Sequence, residues 1–570
     1  MLNYWANRKL NHKLNHKPNH GQKSGVKAAA AGLVFGLGGA IARGARGAML
    51  PSGAACVMLA GLAALTTTST VHAQGDAVQR ANDLYRTIAP NLRSDTVLLP
   101  LVAKMQPVPG AFANIGEAML LGAETRGFAA AKSWAEGAPQ KAVLDALKRV
   151  TSEGDHRKAF AFGLAYGAEN VPADWVASGT YVELGDPATL AAAQLLYLPK
   201  LDAMESLVQV EATRRAAMDD PNGAIDVLLD LAFFGRQMAD RQMFEEAMWG
   251  MRVMQRSFER IRDVAYIDMV SAERKLNLDK LLTQVARMDG YLDLDRMKLP
   301  EANRIATEQV LARVYDDRGA IRPEAFAGTM ATLGLQGRPL RIFSEAARWQ
   351  SAAASQADGV NARRILSGLY ADWARRWAMN PFDDSLNTTS AFAGLDRTKE
   401  QAIAMSTPNL WHLAEWRRVN TLERVGTRAT LSLLGVLYTN NVFAPTITSI
   451  RPRWMTQLDS DPFNPNIEFG NRPPLEYFVP QRNRAGKIDT EAKPHEITVV
   501  TNTKDRPSVT FKVDLKADVF VLYSVGTDLA RNNAARVQNT AERVQGADYL
   551  IFPSTLSLYR QFLIDGGELQ

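Results

Sequence analysis

The chain has 570 residues, 46% of them apolar and 22% charged. That length exceeds one ordinary core, and that balance excludes wholesale disorder. The net charge is +6, yet residues 1–73 hold eight Lys and Arg and no Asp or Glu; taking those eight from the 66 basic residues leaves 58 against 60 acidic ones, so the basic excess does not point to nucleic acid.

Residues 1–27 are polar and basic, with His12, His16 and His20 in a low-complexity tract. Such a tract reads as a solvated extension, and His-rich tracts can also bind metal. Apolar stretches follow at 28–42 and 53–65, then a Thr/Ser run and Val71-His72-Ala73-Gln74. A basic region, an apolar run and short side chains at −3 and −1 make a secretory signal, with cleavage after Ala73. Met49 is an alternative start. The competing reading is an uncleaved membrane anchor, since residues 47–65 give 19 positions without a charge, though Pro51 and Ser52 weaken it. Cys56, the sole cysteine, sits near the beginning of its apolar run, where a lipid attachment is not expected. The exported part would then have no disulfide, no thiol nucleophile and no Cys-ligated zinc.

From residue 74 to about 440 the pattern is helical. Ile225, Leu228, Leu229 and Ala232 follow the i, i+3, i+4, i+7 rule after the breakers Pro221 and Gly223. Met243, Ala247, Met251, Met254, Phe258 and Ile261 repeat it, with Glu245, Glu246, Arg252, Arg256 and Arg260 assigned to the opposite, solvated face. The Met and aromatic stripe is core packing. Further helices are predicted over 79–87, 113–134, 139–151, 187–215, 266–289, 300–314, 340–356, 361–378, 397–405 and 420–438. The loop 380–390 is a candidate internal boundary. No clean repeat period is present, so the body is a multi-helix bundle or an irregular helical solenoid.

After residue 440 seven prolines from Pro445 to Pro480 exclude continuous helix. Strand patterns follow at 496–500, 508–513, 518–524 and 549–552, then a short helix at 555–564. The fold class is therefore mainly α, with a small C-terminal α+β subdomain built on an antiparallel sheet. Three segments result: leader 1–73, helical body 74–440, and tail 441–570.

Catalytic signatures are missing. Beyond the leader, His156, His412 and His495 form no His-x-x-x-His pair. There is no phosphate-binding loop and no Gly-x-Ser-x-Gly elbow. Carboxylate pairs such as Glu245 with Glu246 or Asp459 with Asp461 occur, but such pairs are common on solvated turns and helix starts.

One constellation stands out: Asp461-Pro462-Phe463, then Pro474-Leu475-Glu476-Tyr477, then Tyr523-Ser524-Val525-Gly526-Thr527-Asp528. Asp461 suits a turn cap, Gly526 supplies positive φ, and Tyr477 and Tyr523 suit a half-buried sheet. This order resembles the C-terminal region of type II secretion pseudopilins. It is even more similar to a family of uncharacterised exported or membrane-anchored planctomycete proteins with a long helical region before the same tail. The resemblance implies a calcium loop with Asp528, Asn532 and Asn533 as candidate ligands. Arg531 and the low acidic count favour a hydrogen-bonded turn without metal. The pseudopilin cleavage motif and long assembly helix are absent, so filament assembly is not implied.

These features point first to an exported, non-enzymatic interaction or scaffold protein of the cell envelope, with an envelope protein as partner and membrane contact only through an uncleaved leader. That function predicts an exposed apolar patch or groove on the helical body. The alternatives are a carboxylate-based extracytoplasmic hydrolase, which predicts a cleft with converging acids of raised pKa, and an apolar-ligand binder, which predicts a sizeable dry cavity.

Overall fold

In a computed structural model, which describes residues 76–569 apart from 156, 335–343, 468–470, 484–486, 490, 502–508 and 540–544, the chain is mainly helical and ends in a small sheet. The leader, with its signal, its histidines and Cys56, lies outside the described residues, as does His156. The helices used below are α1 Ser94–Val102, α2 Ile115–Leu120, α3 Ala138–Thr151, α4 Leu198–Ala217, α5 Pro221–Ala239, α6 Phe244–Val270, α7 Leu278–Arg287, α8 Ala302–Val314, α9 Gly359–Ala378, α10 Trp411–Asn440 and α11 Thr555–Asp565. Among the described residues no helix is long and apolar enough to cross a membrane.

The centre is the helical hairpin α5–α6. Pro221 opens α5, and the Asp220 carboxylate caps it by accepting the Gly223 N–H at 2.9 Å. The two helices approach to backbone contact at Gly235 and Gly250. A Cβ on Gly250 would lie 2.4 Å from the Gly235 carbonyl oxygen, so a larger residue must force the helices apart. Side chains then enclose α6 from other directions. Arg256 pairs with Glu205 of α4, Arg262 with Glu423 of α10, and Asp263 with Arg560 of α11.

That enclosure overturns part of the expected solvated face of α6. Glu245 and Arg252 are exposed and Arg256 is half-buried, but Glu246 is fully buried and Arg260 nearly so. An amphipathic pattern predicts a wet face only when one side of the helix is left uncovered. Other differences are local. The predicted helix 266–289 breaks, because α6 ends at Val270 and Asn277 caps α7 with its side-chain oxygen. The predicted helix 113–134 splits at Gly127, whose φ of 103° suits glycine alone. The first part of predicted helix 187–215 instead pairs β1 (Val182–Glu183) with β2 (Gln194–Leu195).

The six-stranded sheet runs β3 (Glu476–Phe478), β6 (Val521–Ser524), β8 (Asp548–Phe552), β7 (Arg536–Gln538), β4 (His495–Thr501), β5 (Val509–Leu515). Its outer pairings β3–β6, β6–β8 and β4–β5 are antiparallel. The short strand β7 joins them through two parallel pairings, with β4 and with β8. Helix α10 lies on the sheet, with Gly426 seated on Ile551 of β8; a Cβ there would come within 2.7 Å of that side chain.

The described residues form one compact unit, so the change of character near 440 and the loop at 380–390 both fall inside it. The loop is no break. Arg376 of α9 donates to the carbonyls of Leu386, Thr388 and Thr389. Body and tail share their core through α6, α10 and β8.

Candidate functional site

The constellation read from the sequence assembles around Asp461. Its Oδ1 accepts the Phe463 N–H at 2.8 Å and the Ser524 hydroxyl at 2.7 Å, and its Oδ2 accepts the Val525 N–H at 3.2 Å. Burial pushes this carboxyl up, against those hydrogen bonds. Ser524 Oγ in turn accepts the Gly526 N–H at 3.2 Å. Gly526 has φ of 78°, and a Cβ there would meet the Ala547 carbonyl at 2.7 Å. Tyr477 donates to the Ala444 carbonyl at 2.7 Å, and Tyr523 stands opposite Glu476 in the β3–β6 pairing. Pro462 presents its carbonyl to Arg418 Nε at 2.9 Å. The arrangement clamps the turn at 461–463 onto the end of β6.

The calcium candidates Asp528, Asn532 and Asn533 do not form a matching donor set. Both Asp528 oxygens already accept backbone N–H groups, from Ala530 at 3.1 Å and Gly546 at 2.6 Å. The Asn532 amide donates within its own loop to the Ala530 carbonyl, and Asn533 is exposed with φ of 53°. Asp548 accepts the N–H groups of Ala534 at 2.6 Å and Asn532 at 3.1 Å. Burial, with repulsion from Asp528, pushes the Asp548 carboxyl up to about 6 despite those bonds. Calcium takes six to eight oxygens, and here the oxygens serve the backbone. Among the described residues no group of three or more His, Cys, Asp or Glu is placed to hold a metal.

Two charge clusters on α6 were not anticipated. At its start Glu246 accepts from the hydroxyls of Tyr197 and Tyr166, the latter at 2.8 Å, and from Arg241 Nε and Nη2 at 2.9 and 2.7 Å. Arg241 also lies over the Tyr85 ring at 4.0 Å. Further along, Asp263 accepts from Arg260, from Ser557 and from both terminal nitrogens of Arg560 at 2.8 and 3.0 Å. Burial alone would push Asp263 up, but Arg560 and Arg260 outweigh it and hold the carboxyl low. Burial, against the pull of Asp263, brings Arg260 down to about 10, with Arg560 adding to the effect. Beside it Arg262 and Tyr549 both donate to Glu423, and Glu259 accepts from Thr555 and Asn539, each at 2.7 Å. Asp263 thus pairs with Arg260 and Arg560, and Glu423 with Arg262, while burial and repulsion from Glu423 push the Glu259 carboxyl up. The signal in the sequence was the run Glu259-Arg260-Ile261-Arg262-Asp263, which places charge on all sides of one helical turn.

The remaining histidines sit apart. His412 is exposed and bonded to Glu415 at 2.9 Å, while the His495 ring meets Phe478 edge-on at 4.9 Å. The enclosed hollow lined by Val425, Ala429, Ile450 and Leu475 measures about 10 Å³, room for one water at most.

An open groove of about 580 Å³ runs between α1 and α3. Its floor is Val97, Pro100, Leu101, Ala142 and Ala146, and its rim is Thr96, Asp145 and Arg149. Pro100 stands inside α1 and has no N–H to offer the Thr96 carbonyl, so polar backbone accompanies the apolar floor. Asp145 and Arg149 are exposed and lie one turn apart on α3, yet neither has an ion-pair partner among the described residues. Comparison of the chain with protein-family models, curated proteins and solved structures finds no match.

Proposed function

We propose that the protein is a non-catalytic interaction or scaffold protein of the cell envelope, exported through its leader and belonging with the exported proteins whose tail resembles pseudopilins. The observation that carries this reading is the α1–α3 groove on the helical body. A third helix laid between two packed helices covers such a floor with apolar residues at i, i+3 or i+4 and i+7. Unpaired Asp145 and Arg149 on the rim favour a partner helix bearing a basic and an acidic residue one turn apart. The α6 clusters support the same reading, because their ionisable groups pair with one another inside the body rather than converging on an open cleft.

The test places a photo-crosslinking residue at Ala142, and separately at exposed Lys512, in the protein expressed in envelope-bearing cells. A crosslinked partner at Ala142 that is absent at Lys512, and lost on Leu101→Asp, is the expected result. Equal crosslinking at both positions, or none at Ala142, refutes the groove as an interaction site. Sequencing the N-terminus of the secreted form checks export, with Gln74 as the expected first residue.

A further inference from the structure

Enclosed guanidinium groups in this molecule have carboxylate partners, as Arg241 has Glu246 and Arg428 has Asp289 and Asp459. Arg418 of α10 differs. Its Nε donates to the Pro462 carbonyl, but its Nη2 is enclosed without a hydrogen-bond partner, and no carboxylate pairs with it among the described residues. A second arginine stands beside it. Arg472 donates to Asn380 Oδ1 at 3.0 Å and likewise has no ion pair among the described residues. Both flank one ring, for the Arg418 guanidinium lies 4.7 Å and that of Arg472 4.2 Å from the Phe382 centroid. Phe463 of the Asp461 turn packs on Arg418 from another direction at 4.3 Å.

The charge acting most strongly in favour of Arg418 is Asp461, whose oxygens are already taken by Phe463, Ser524 and Val525. Aromatic faces offset part of the desolvation but carry no net charge. Two like charges are therefore held at one ring, one of them largely desolvated, with no carboxylate paired to either among the described residues. Burial, opposed by Asp461 and assisted by repulsion from Arg472, brings Arg418 down to about 10.

We infer that Arg418 and Arg472, framed by Phe382, Phe463 and Asn380, form a binding site for an oxyanion group, a carboxylate or a phosphate, at the junction of the 380–387 loop, α10 and the Asp461 turn. Guanidinium forks match the geometry of both groups, and a ligand oxygen on Arg418 Nη2 would satisfy the enclosed donor. The site is separate from the α1–α3 groove and does not depend on the interaction reading.

The test is calorimetric titration of the full chain with inorganic phosphate and, separately, with acetate, at matched ionic strength. Saturable binding of phosphate identifies a phosphate site, and saturable binding of acetate identifies a carboxylate site. In either case Arg472→Gln weakens binding about tenfold or more, as loss of a charge-assisted pair should. Arg418→Lys, which keeps charge but loses the fork, weakens it too, while Arg531→Gln, which removes an arginine already paired with Glu476, leaves it unchanged. No binding of either anion up to about 10 mM, or binding indifferent to Arg472→Gln in a folded variant, overturns the site and leaves the arginines as packing on Phe382.

Discussion

The molecule treats buried arginine in two ways. On α6 the buried guanidinium groups of Arg260 and Arg262 meet Asp263 and Glu423, and Arg560 shares Asp263. At the Phe382 ring, Arg418 and Arg472 meet aromatic faces and carbonyl oxygens, and no carboxylate pairs with either among the described residues. The first cluster can be closed in the interior because desolvation is offset by Coulomb attraction to the carboxylates, although Arg260 Nε and Arg262 Nε have no hydrogen-bond partner among the described residues. The second stays near the surface, where Arg472 is half-buried, and keeps its positive charge available. The difference separates charge that locks a fold from charge that can receive a ligand.

The sharpest way to break this contrast is Asp263→Ala, which gives α6 the unbalanced state of the other region. Arg260 and Arg560 then lose their shared acid, and stability should fall by about 3–5 kcal/mol, read from the urea midpoint and slope. Next comes the frame that brings the charges together. Gly250→Ala puts a Cβ 2.4 Å from the Gly235 oxygen, and separating the hairpin should cost about 1–3 kcal/mol in the same assay. In the unbalanced region the effect should nearly vanish. Arg418→Met removes a charge whose favourable acid, Asp461, is already bonded to Phe463, Ser524 and Val525, and it should change stability by less than about 1 kcal/mol, in either direction. A loss as large as that of Asp263→Ala would erase the contrast.

The pH dependence of one buried acid tests sign rather than size. The folded Asp548 carboxyl holds its proton up to about pH 6, whereas an unfolded one releases it near 3.9. The folded state therefore binds the extra proton between those values, and this group's contribution to stability falls as pH rises through that window. Asp548→Asn keeps an oxygen for the N–H groups of Asn532 and Ala534 and should flatten the decline in thermal midpoint between about pH 4 and 6. An unchanged slope would show that another group carries it.

Much of the architecture was legible locally. Apolar spacing at Ile225, Leu228, Leu229 and Ala232 marked α5, and alternation at 508–513 marked β5, because each pattern needs only one face to be buried. The turn residues Asp461 and Gly526 announced themselves by type, since a carboxylate that caps and a glycine at positive φ act on their nearest neighbours. The short strand β7 left no such signal. Three residues, Arg536–Gln538, have little pattern of their own and gain their place from strands on either side. The α1–α3 groove could not be placed from the sequence, since the two helices meet across 35 residues of intervening chain that the sequence does not arrange.

By itself, then, the sequence determined the helical body, the strand-bearing tail and the turn chemistry at Asp461, all of which depend on neighbours within a few residues. Tertiary structure alone decided that Glu246 and Arg260 are buried, that Asp263 serves two arginines, and that Arg418 and Arg472 share one ring. The physical reason is range. Propensity and capping are set along the chain, whereas desolvation and charge pairing depend on which distant segments close over a side chain.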